Sequence, residues 1–393
     1  MSGEVQAAER IGAAQRAVPS DAGCLPGVRV GNWAGLDSPE MRQGWAALAA
    51  RAAEPNPFHE HWYLLPALRA LDDARQVQVL RVESDGAMIG LLPLQQARRY
   101  YGKPIPQLRN WVHGNCFLGS PLVAAGLEQA FWRAVLDWAD RNAGPALFLH
   151  LAATALHGPV YDGLRNVLIQ QDRPAGVVHR EERAMLSSRL SPQAYFEESL
   201  SGKKRKELRR QLARLSELGE VQFTRSRNDA GLDRWIEDFL ALEHSGWKGT
   251  AGSALASHQA TAQLFRDALH GAAAQGKLER LTLTLEGAPI AMLINFLVPP
   301  GAYSYKTAFD ERYARYSPGV LVQRENLDLL DDDRVAWCDS CAAADHPMID
   351  HIWRERRAVG HLSIAIGGKL RRSLFSGLLR LELRGQPLGL DPR

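Results

Sequence analysis

Cysteine is scarce in this sequence, with four residues in a chain of 393. Disulfide frameworks are typical of short, cysteine-rich secreted chains, so we expect a reducing, cytoplasmic setting. Long apolar stretches are also missing. The longest, residues 290–298, is interrupted by Asn295 and falls well short of the roughly 18–20 residues that a membrane-spanning helix needs. The sequence therefore predicts no transmembrane segment.

Charge of one sign is not in excess, since 47 Lys and Arg stand against 44 Asp and Glu, a net charge of +3. This balance is too even to indicate a nucleic-acid partner. Charged side chains at Glu4, Glu9, Arg10 and Arg16 interrupt the alanines of the first 25 residues, which lack the apolar region of a secretory signal. We expect residues 1–25 to form a flexible tail.

Common catalytic motifs are absent as well. The sequence has no Gly-x-Ser-x-Gly elbow, P-loop or dinucleotide fingerprint, which argues against a serine hydrolase, a kinase and a Rossmann enzyme. Cys338, Cys341, His346 and His351 have the spacing of a zinc knuckle. Residues 346–357 are predicted to be helical, which would place the two histidines about 140° apart around the axis. We therefore expect no metal.

The most informative stretch is a predicted β-meander that leads into a helix. Residues 281–285, 289–298 and 303–309 have the composition of strands, and Glu286-Gly287 is a turn signal. Alternation places Tyr305 and Lys306 on opposite faces of the third strand. Ser317-Pro318-Gly319 is typical of a helix start. Such a start is either a plain cap or a phosphate site, since its free N–H groups attract anions.

The length predicts two domains, because it exceeds what one hydrophobic core usually organises. The segment 85–89 echoes 286–290, and Gly119-Ser120-Pro121 echoes the later helix start, which indicates an internal duplication. We predict a tail at 1–25 and domains at 26–175 and 176–385. After the central helix we predict a strand at 334–338, the helix at 346–357, and final strands at 363–366 and 379–383.

A basic amphipathic helix is predicted within residues 195–218. Leu208, Leu212 and Leu215 form its apolar stripe, and seven basic residues lie between Lys203 and Arg214. The basic face is either a solvated surface or a contact for an anionic substrate.

Four segments together resemble a known family. They are residues 243–249 (Glu-His-Ser-Gly-Trp-Lys-Gly), 287–291, Tyr305-Lys306-x-x-x-Asp310 and Tyr316-Ser-Pro-Gly319. In this order they look like the FemAB-like, CelD-type branch of the GNAT acyltransferase superfamily, which is linked to exopolysaccharide and cell-envelope synthesis. The resemblance implies an α/β (α+β) fold of tandem GNAT-like domains, each a mixed, mainly antiparallel sheet flanked by helices.

The resemblance also implies an activity and a site. The activity would be N- or O-acyl transfer from acetyl-CoA or another acyl-CoA to an amine or hydroxyl of a cell-envelope or polysaccharide precursor or a related small molecule. The thioester would lie between residues 291–296 and 303–308. Tyr305 would protonate the departing thiolate, and Asp310, His244 or Asp339 would be the base.

The remaining site residues follow from the same resemblance. The phosphates would contact Arg315, Ser317, Gly319 and Val320. The acceptor would meet Trp247, Lys248 and Lys306. Two other functions stay open: an aminoacyl-tRNA-dependent Fem-type peptidoglycan ligase, and a non-catalytic GNAT-fold binding protein. The sequence leaves the oligomeric state unknown.

Overall fold

A computed structural model describes residues 26–384 and 389–390 of the chain. The predicted tail at 1–25 lies outside the described residues. Strands of the described part are β1 (Gly27–Asn32), β2 (Gln78–Ser84), β3 (Ala87–Ala97), β4 (Gln107–Asn110), β5 (Leu122–Val123), β6 (Phe148–Ala155), β7 (Ala175–Leu186), β8 (Val221–Ser226), β9 (Leu278–Leu285), β10 (Ala288–Val298), β11 (Gly301–Phe309), β12 (Trp337–Asp339) and β13 (Glu355–Ala365).

Helices flank these strands. They are α1 (Pro39–Ala50), α2 (His61–Leu71), α3 (Glu128–Asn142), α4 (Pro159–Gln170), α5 (Pro192–Ser199), α6 (Gly202–Ser216), α7 (Leu232–Ser245), α8 (Trp247–Thr250), α9 (Gln259–Ala274), α10 (Pro318–Glu325) and α11 (Lys369–Glu382). None of the helices in the described part of the chain has the length and apolarity needed to span a membrane.

One mixed sheet of 13 strands runs through the molecule in the order β1-β2-β3-β4-β6-β13-β7-β12-β11-β10-β9-β8, and β5 pairs with β3. Two neighbouring pairs, β4–β6 and β11–β12, are parallel and the others are antiparallel. Counted from each edge of the sheet, three antiparallel strands come before a parallel pair: β1–β3 before β4–β6, and β8–β10 before β11–β12. The two halves of the sheet therefore share this arrangement. The predicted class, a mixed and mainly antiparallel sheet flanked by helices, is confirmed.

The two predicted sequence echoes have different outcomes. Asp85-Gly86 and Glu286-Gly287 both turn with positive φ at each residue, 51° and 76° in the first, 49° and 75° in the second. Both connect antiparallel strands, as this turn conformation favours. Ser120-Pro121, in contrast, leads into β5 and not into a helix. The predicted boundary near residue 175 coincides with the start of β7, and the division into domains stays a prediction.

Apolar side chains from distant parts of the chain share one core, and this positions the site. Helix α2 packs against α9, and Trp62 lies with its ring centroid 5.0 Å from that of Phe296 on β10. On β11, Phe58 contacts the rings of Tyr303 and Tyr305, and Tyr63 contacts the ring of Tyr305. The first part of the chain therefore covers one face of the β-meander in the second.

The predictions for the region after β12 are wrong in two places. Residues 346–357 are not a helix: turns follow Asp345, which has a φ of 59°, and β13 begins at Glu355. These turns are held by Ile349, Ile352 and Trp353, which are buried in the core. Residues 379–383 are not a strand but the end of α11, because Leu379 and Leu383 are four apart and pack on one face.

Candidate active site

Strand β11 separates from β12 in the middle of the sheet. The two strands pair at three positions, from Gly301↔Trp337 to Tyr303↔Asp339. After this, Ser340 N–H donates to Ala184 O on β7 (3.1 Å), so the chain leaves β11. The remainder of β11 has no strand beside it on that side within the described residues. We call residues 305–309 of β11, with this unpaired side, the open edge.

A β-bulge at Tyr305 marks the separation. In the pairing with β10, Asn295 lies opposite Ser304 and Ile294 opposite Lys306, so Tyr305 is an extra residue. Bulges are over-represented next to active sites, because they redirect side chains. The predicted opposite orientation of Tyr305 and Lys306 is therefore wrong. Lys306 Nζ lies 5.5 Å from the ring centroid of Tyr305 and 5.7 Å from that of Phe117.

The predicted position of the thioester, between residues 291–296 of β10 and 303–308 of β11, is also wrong. These strands remain paired from Ala291↔Phe309 to Val298↔Gly301. Asp310 N–H donates to Ile290 O (2.9 Å), so by alternation the backbone groups of Lys306 and Ala308 also face β10. The N–H groups of Thr307 and Phe309 then face the open edge. An unpaired amide row of this kind is a ready hydrogen-bond donor.

Lys306 is the most perturbed cation at the open edge. Burial lowers its pKa from 10.5 to about 8, although Glu243 acts in the opposite direction. Within the described residues its ammonium makes no hydrogen bond or ion pair, and its contacts are the two aromatic rings. A lysine with a pKa near neutrality can both accept and release a proton at physiological pH.

Residues from the first part of the chain complete the wall behind Lys306. Tyr63 donates its hydroxyl proton to Asn115 O and therefore accepts from Tyr305, whose hydroxyl lies 3.2 Å away. His113 stacks on the ring of Tyr63, with centroids 6.2 Å apart. Burial raises the pKa of Tyr305 above its usual value. Sequence reasoning missed this wall, since no local motif marks Tyr63, His113 or Phe117.

The junction of α7 and α8 forms the opposite wall. Trp247, Lys248 and Glu243 line a small cavity of about 30 Å³ with residues 307–309 and Glu311. Buried Glu243 accepts from Lys248 Nζ (3.0 Å) and from Leu255 N–H (2.8 Å). Of the predicted site residues, Trp247 and Lys248 thus lie beside the open edge. His244 is exposed in the last turn of α7.

The start of α10 lies at the far end of the open edge, because Gly319 packs beside Phe309. A Cβ added at Gly319 would stand 3.1 Å from the Phe309 ring and 2.6 Å from Met348 Sδ. Ser317 takes a left-handed conformation, and its carbonyl accepts from Val320 and Leu321 N–H (2.9 and 3.0 Å). Since Pro318 has no N–H, Gly319 supplies the remaining amide.

The other predicted phosphate contacts have mixed surroundings. Arg315 is exposed, with its guanidinium 4.8 Å from the ring centroid of Tyr316. Val320 is partly buried and packs with the cluster that contains Leu208 of α6. Gly319 is itself buried, so the predicted phosphate contacts come down to one buried backbone amide and the exposed Arg315, and the phosphate site stays a prediction.

Two of the predicted bases, Asp339 and Asp310, form ion pairs with arginines. Asp339 is fully buried and accepts from Arg183 (2.6 Å) and Arg357 (2.9 Å). Burial alone would raise the pKa of Asp339, but these guanidinium groups bring it below its usual value. Asp310 accepts from Arg312 N–H and from its guanidinium, which lowers the pKa of Asp310. Asp339 joins β12 to β7 and β13, and Asp310 caps the turn at 311–316.

Comparisons with known proteins agree with this geometry. Residues 202–346 match the acetyltransferase (GNAT) domain family. This GNAT segment contains α7, the open edge, α10 and β12. A comparison with curated protein sequences gave no match.

Solved structures show the same fold over most of the chain. FemX aligns at a TM-score of 0.53 with 11% identity, over 85% of this chain and 98% of FemX. The C-terminal domain of a protein described as a lysylphosphatidylglycerol synthetase, from Agrobacterium fabrum, gives 0.51 and 13%, over 87% and 96% of the two chains. A protein of unknown function from Bacteroides thetaiotaomicron gives 0.52 and 11%, over 82% and 97%. These structures share the fold of this chain, and the acetyltransferase (GNAT) match lies within it at residues 202–346.

Proposed function

We propose that the protein is an acyl-CoA-dependent N- or O-acyltransferase that acts on an amine or hydroxyl of a cell-envelope or polysaccharide precursor. One observation carries this proposal: the open edge of β11 presents the Thr307 amide, which pairs with no other described residue, next in sequence to Lys306, whose pKa burial lowers to about 8. Acyl transfer needs a donor for the carbonyl oxygen and a group that moves a proton.

The two groups have separate tasks in the reaction. Thr307 N–H donates to the thioester carbonyl oxygen and stabilises the negative charge that this oxygen gains during attack. Neutral Lys306 accepts the proton of the attacking N–H or O–H as the new bond to the carbonyl carbon forms. When the carbon–sulfur bond breaks, the Lys306 ammonium returns that proton to the thiolate. Atoms and charges balance, and Lys306 ends in its starting form.

We assign the proton transfer to Lys306 instead of the predicted Tyr305. A free thiol has a pKa near 8.5, which matches Lys306 and lies well below the raised pKa of buried Tyr305. Tyr305 also uses its proton for the hydrogen bond to Tyr63. The exposed His244 is an alternative base for the acceptor.

Substrate positions follow from the ends of the open edge. The diphosphate of the donor would lie toward Gly319 N–H and Arg315, because Gly319 adjoins Phe309 at the edge's end. The acceptor would approach past Trp247 and Lys248. The cavity between these walls is small, about 30 Å³. A thioester and its acceptor are larger than this cavity, so binding would require side chains that line it, such as Trp247, to move.

A Fem-type ligase is a second candidate, favoured by the position of α6. The apolar side of α6 packs on the 311–316 turn, with Leu212 and Leu215 beside Tyr313 and Tyr316. Its exposed residues include six basic ones, Lys203, Lys204, Lys206, Arg209, Arg210 and Arg214. An aminoacyl-tRNA donor would meet this positive surface next to the site, since phosphate backbones bind Lys and Arg.

The experiment compares Thr307→Pro with Thr307→Val. Proline removes the N–H that faces the open edge without removing a bond to β10, whereas valine keeps it. Both variants lose the Thr307 hydroxyl, which accepts from Gln323 (3.2 Å). A difference in activity between the two variants therefore reports on the amide. Calorimetry with acetyl-CoA and thiol release with a panel of amines and sugars report binding and turnover.

We expect wild-type protein and Thr307→Val to bind acetyl-CoA and release thiol, and Thr307→Pro to lose about 10²–10³ in kcat. Equal rates for the two variants would refute the role of Thr307. Transfer from aminoacyl-tRNA without any acetyl-CoA binding would replace the proposal with the ligase. Failure of both donors would leave a binding protein.

A further inference from the structure

Helix α11 is apolar on two sides. Phe375 and Leu379 are buried and pack with Phe148 and Ala365 of the sheet. Leu370, Leu374 and Leu381 lie on the other side and are 86%, 69% and 78% exposed. Spacings of four and eleven residues place these three leucines in one stripe of an α-helix. We call them the leucine stripe, and within the described residues nothing covers it.

Basic side chains border the leucine stripe. Lys369, Arg380 and Arg384 are exposed, and Arg371 is partly exposed and donates to Gly144 O (3.0 Å). The carboxylate of the helix, Glu382, accepts from Tyr100 (2.6 Å) and so is turned toward the protein. The outward side of α11 therefore combines leucines with positive charge.

The loop after β3 extends this charge. Tyr100 packs on Phe148 with its ring centroid 5.0 Å away and bonds to Glu382, which fixes the loop against α11. Arg98, Arg99 and Lys103 of the same loop are exposed. Two separate segments of the chain, α11 and the loop held against it, thus carry exposed basic residues.

We propose that α11 lies in the interface of an anionic lipid bilayer. The leucine stripe would enter the acyl boundary while Lys369, Arg371, Arg380 and Arg384 contact the headgroup phosphates, the pattern of interfacial amphipathic helices. The basic border distinguishes between two possible partners of the leucine stripe, a second copy of the chain and an anionic lipid surface. A second copy would bring an identical basic border against the first, and like charges in contact are unfavourable. An anionic surface complements both the leucines and the border.

Interfacial binding would place the enzyme beside lipid-attached acceptors. That consequence rests on the proposed acyl transfer, whereas the binding itself does not. Co-sedimentation with vesicles therefore tests the inference without any activity, and its failure leaves the chemistry of the open edge untouched.

The test uses the full chain with vesicles of phosphatidylcholine alone or mixed with phosphatidylglycerol. The stripe variant is Leu370→Ser/Leu374→Ser/Leu381→Ser. Its matched control is Ile169→Ser/Leu218→Ser, which changes leucine-sized side chains that are 61% and 49% exposed elsewhere. A charge variant, Lys369→Glu/Arg380→Glu, keeps the leucines. Circular dichroism and thermal unfolding confirm that each variant folds.

We expect the wild type and the control to sediment with the mixed vesicles, less so at high salt. The stripe and charge variants should bind at least about tenfold more weakly. Absence of wild-type binding, or equal binding by the stripe variant, would overturn the inference. So would a dimer in sedimentation velocity that the stripe variant abolishes, because a second copy would then cover the stripe.

Discussion

Replacing Lys306 with methionine should make the protein more stable and nearly inactive. Burial of the ammonium moves the pKa of Lys306 from 10.5 to about 8. At about 1.4 kcal/mol per tenfold change, holding this charge at pH 7 costs about 3 kcal/mol. Methionine has a similar length and packs well on the rings of Tyr305 and Phe117. After the loss of cation–π attraction we expect a net gain of about 1–2 kcal/mol.

The same lysine makes a prediction about pH. Because its pKa is lower in the folded state, the unfolded chain binds more protons between pH 8 and pH 10.5. The wild-type contribution from Lys306 to the free energy of unfolding therefore rises with pH in this window and is constant below it. Lys306→Met lacks that rise. Its activity should fall by about 10²–10⁴, the usual value of a positioned acid–base group.

Urea unfolding at a series of pH values and thiol release provide the two measurements. Lys248→Met is the matched control, since Lys248 forms an ion pair with buried Glu243 (3.0 Å). Removal of that partner should destabilise the protein. The change in the free energy of unfolding should therefore be negative for Lys248→Met and positive for Lys306→Met. A less stable Lys306→Met protein, or one with wild-type turnover, would refute the reasoning.

Three further changes test separate parts of the structure. Asp339→Asn should destabilise the fold by about 3–5 kcal/mol in chemical unfolding, because Arg183 and Arg357 would lose their buried partner. Tyr305→Phe should reduce thiol release by no more than about tenfold, since Lys306 moves the proton. Gly319→Ala should lower the Tm, because its Cβ would meet Met348 Sδ at 2.6 Å, and Met348→Ala should restore part of the loss.

A different result would contradict each of these three predictions. Unchanged stability of Asp339→Asn would mean that the two arginines do not depend on this carboxylate. Inactive but folded Tyr305→Phe would return the proton transfer to the tyrosine. An unchanged Tm for Gly319→Ala would show that Met348 already lies elsewhere, which leaves the start of α10 open to phosphate.

Local patterns identified the meander because each of its signals is contained in a few residues. Glu286-Gly287 requires positive φ at both positions, and the apolar runs on either side predict strands. No local sequence pattern predicts the bulge at Tyr305. Simple alternation put Lys306 on the wrong face, and only the register with β10 shows the extra residue.

The wall of the site was invisible for a different reason. Tyr63 and Tyr305 are 242 residues apart in the sequence, and their contact depends on how α2 packs over β11. The same holds for Asp339, whose two arginines come from β7 and β13. Neither strand pairs with its neighbours in sequence, so their order in the sheet follows from the whole fold.

Amide hydrogen exchange with and without acetyl-CoA tests the central claim most directly, because it reports on the open edge itself. We predict that the ligand protects a peptide spanning residues 305–311, through Thr307 and Phe309 N–H, and that Thr307→Pro abolishes this protection while Thr307→Val retains it. Saturating acetyl-CoA that leaves this peptide unprotected, or protects only other segments, would contradict the assignment of the site.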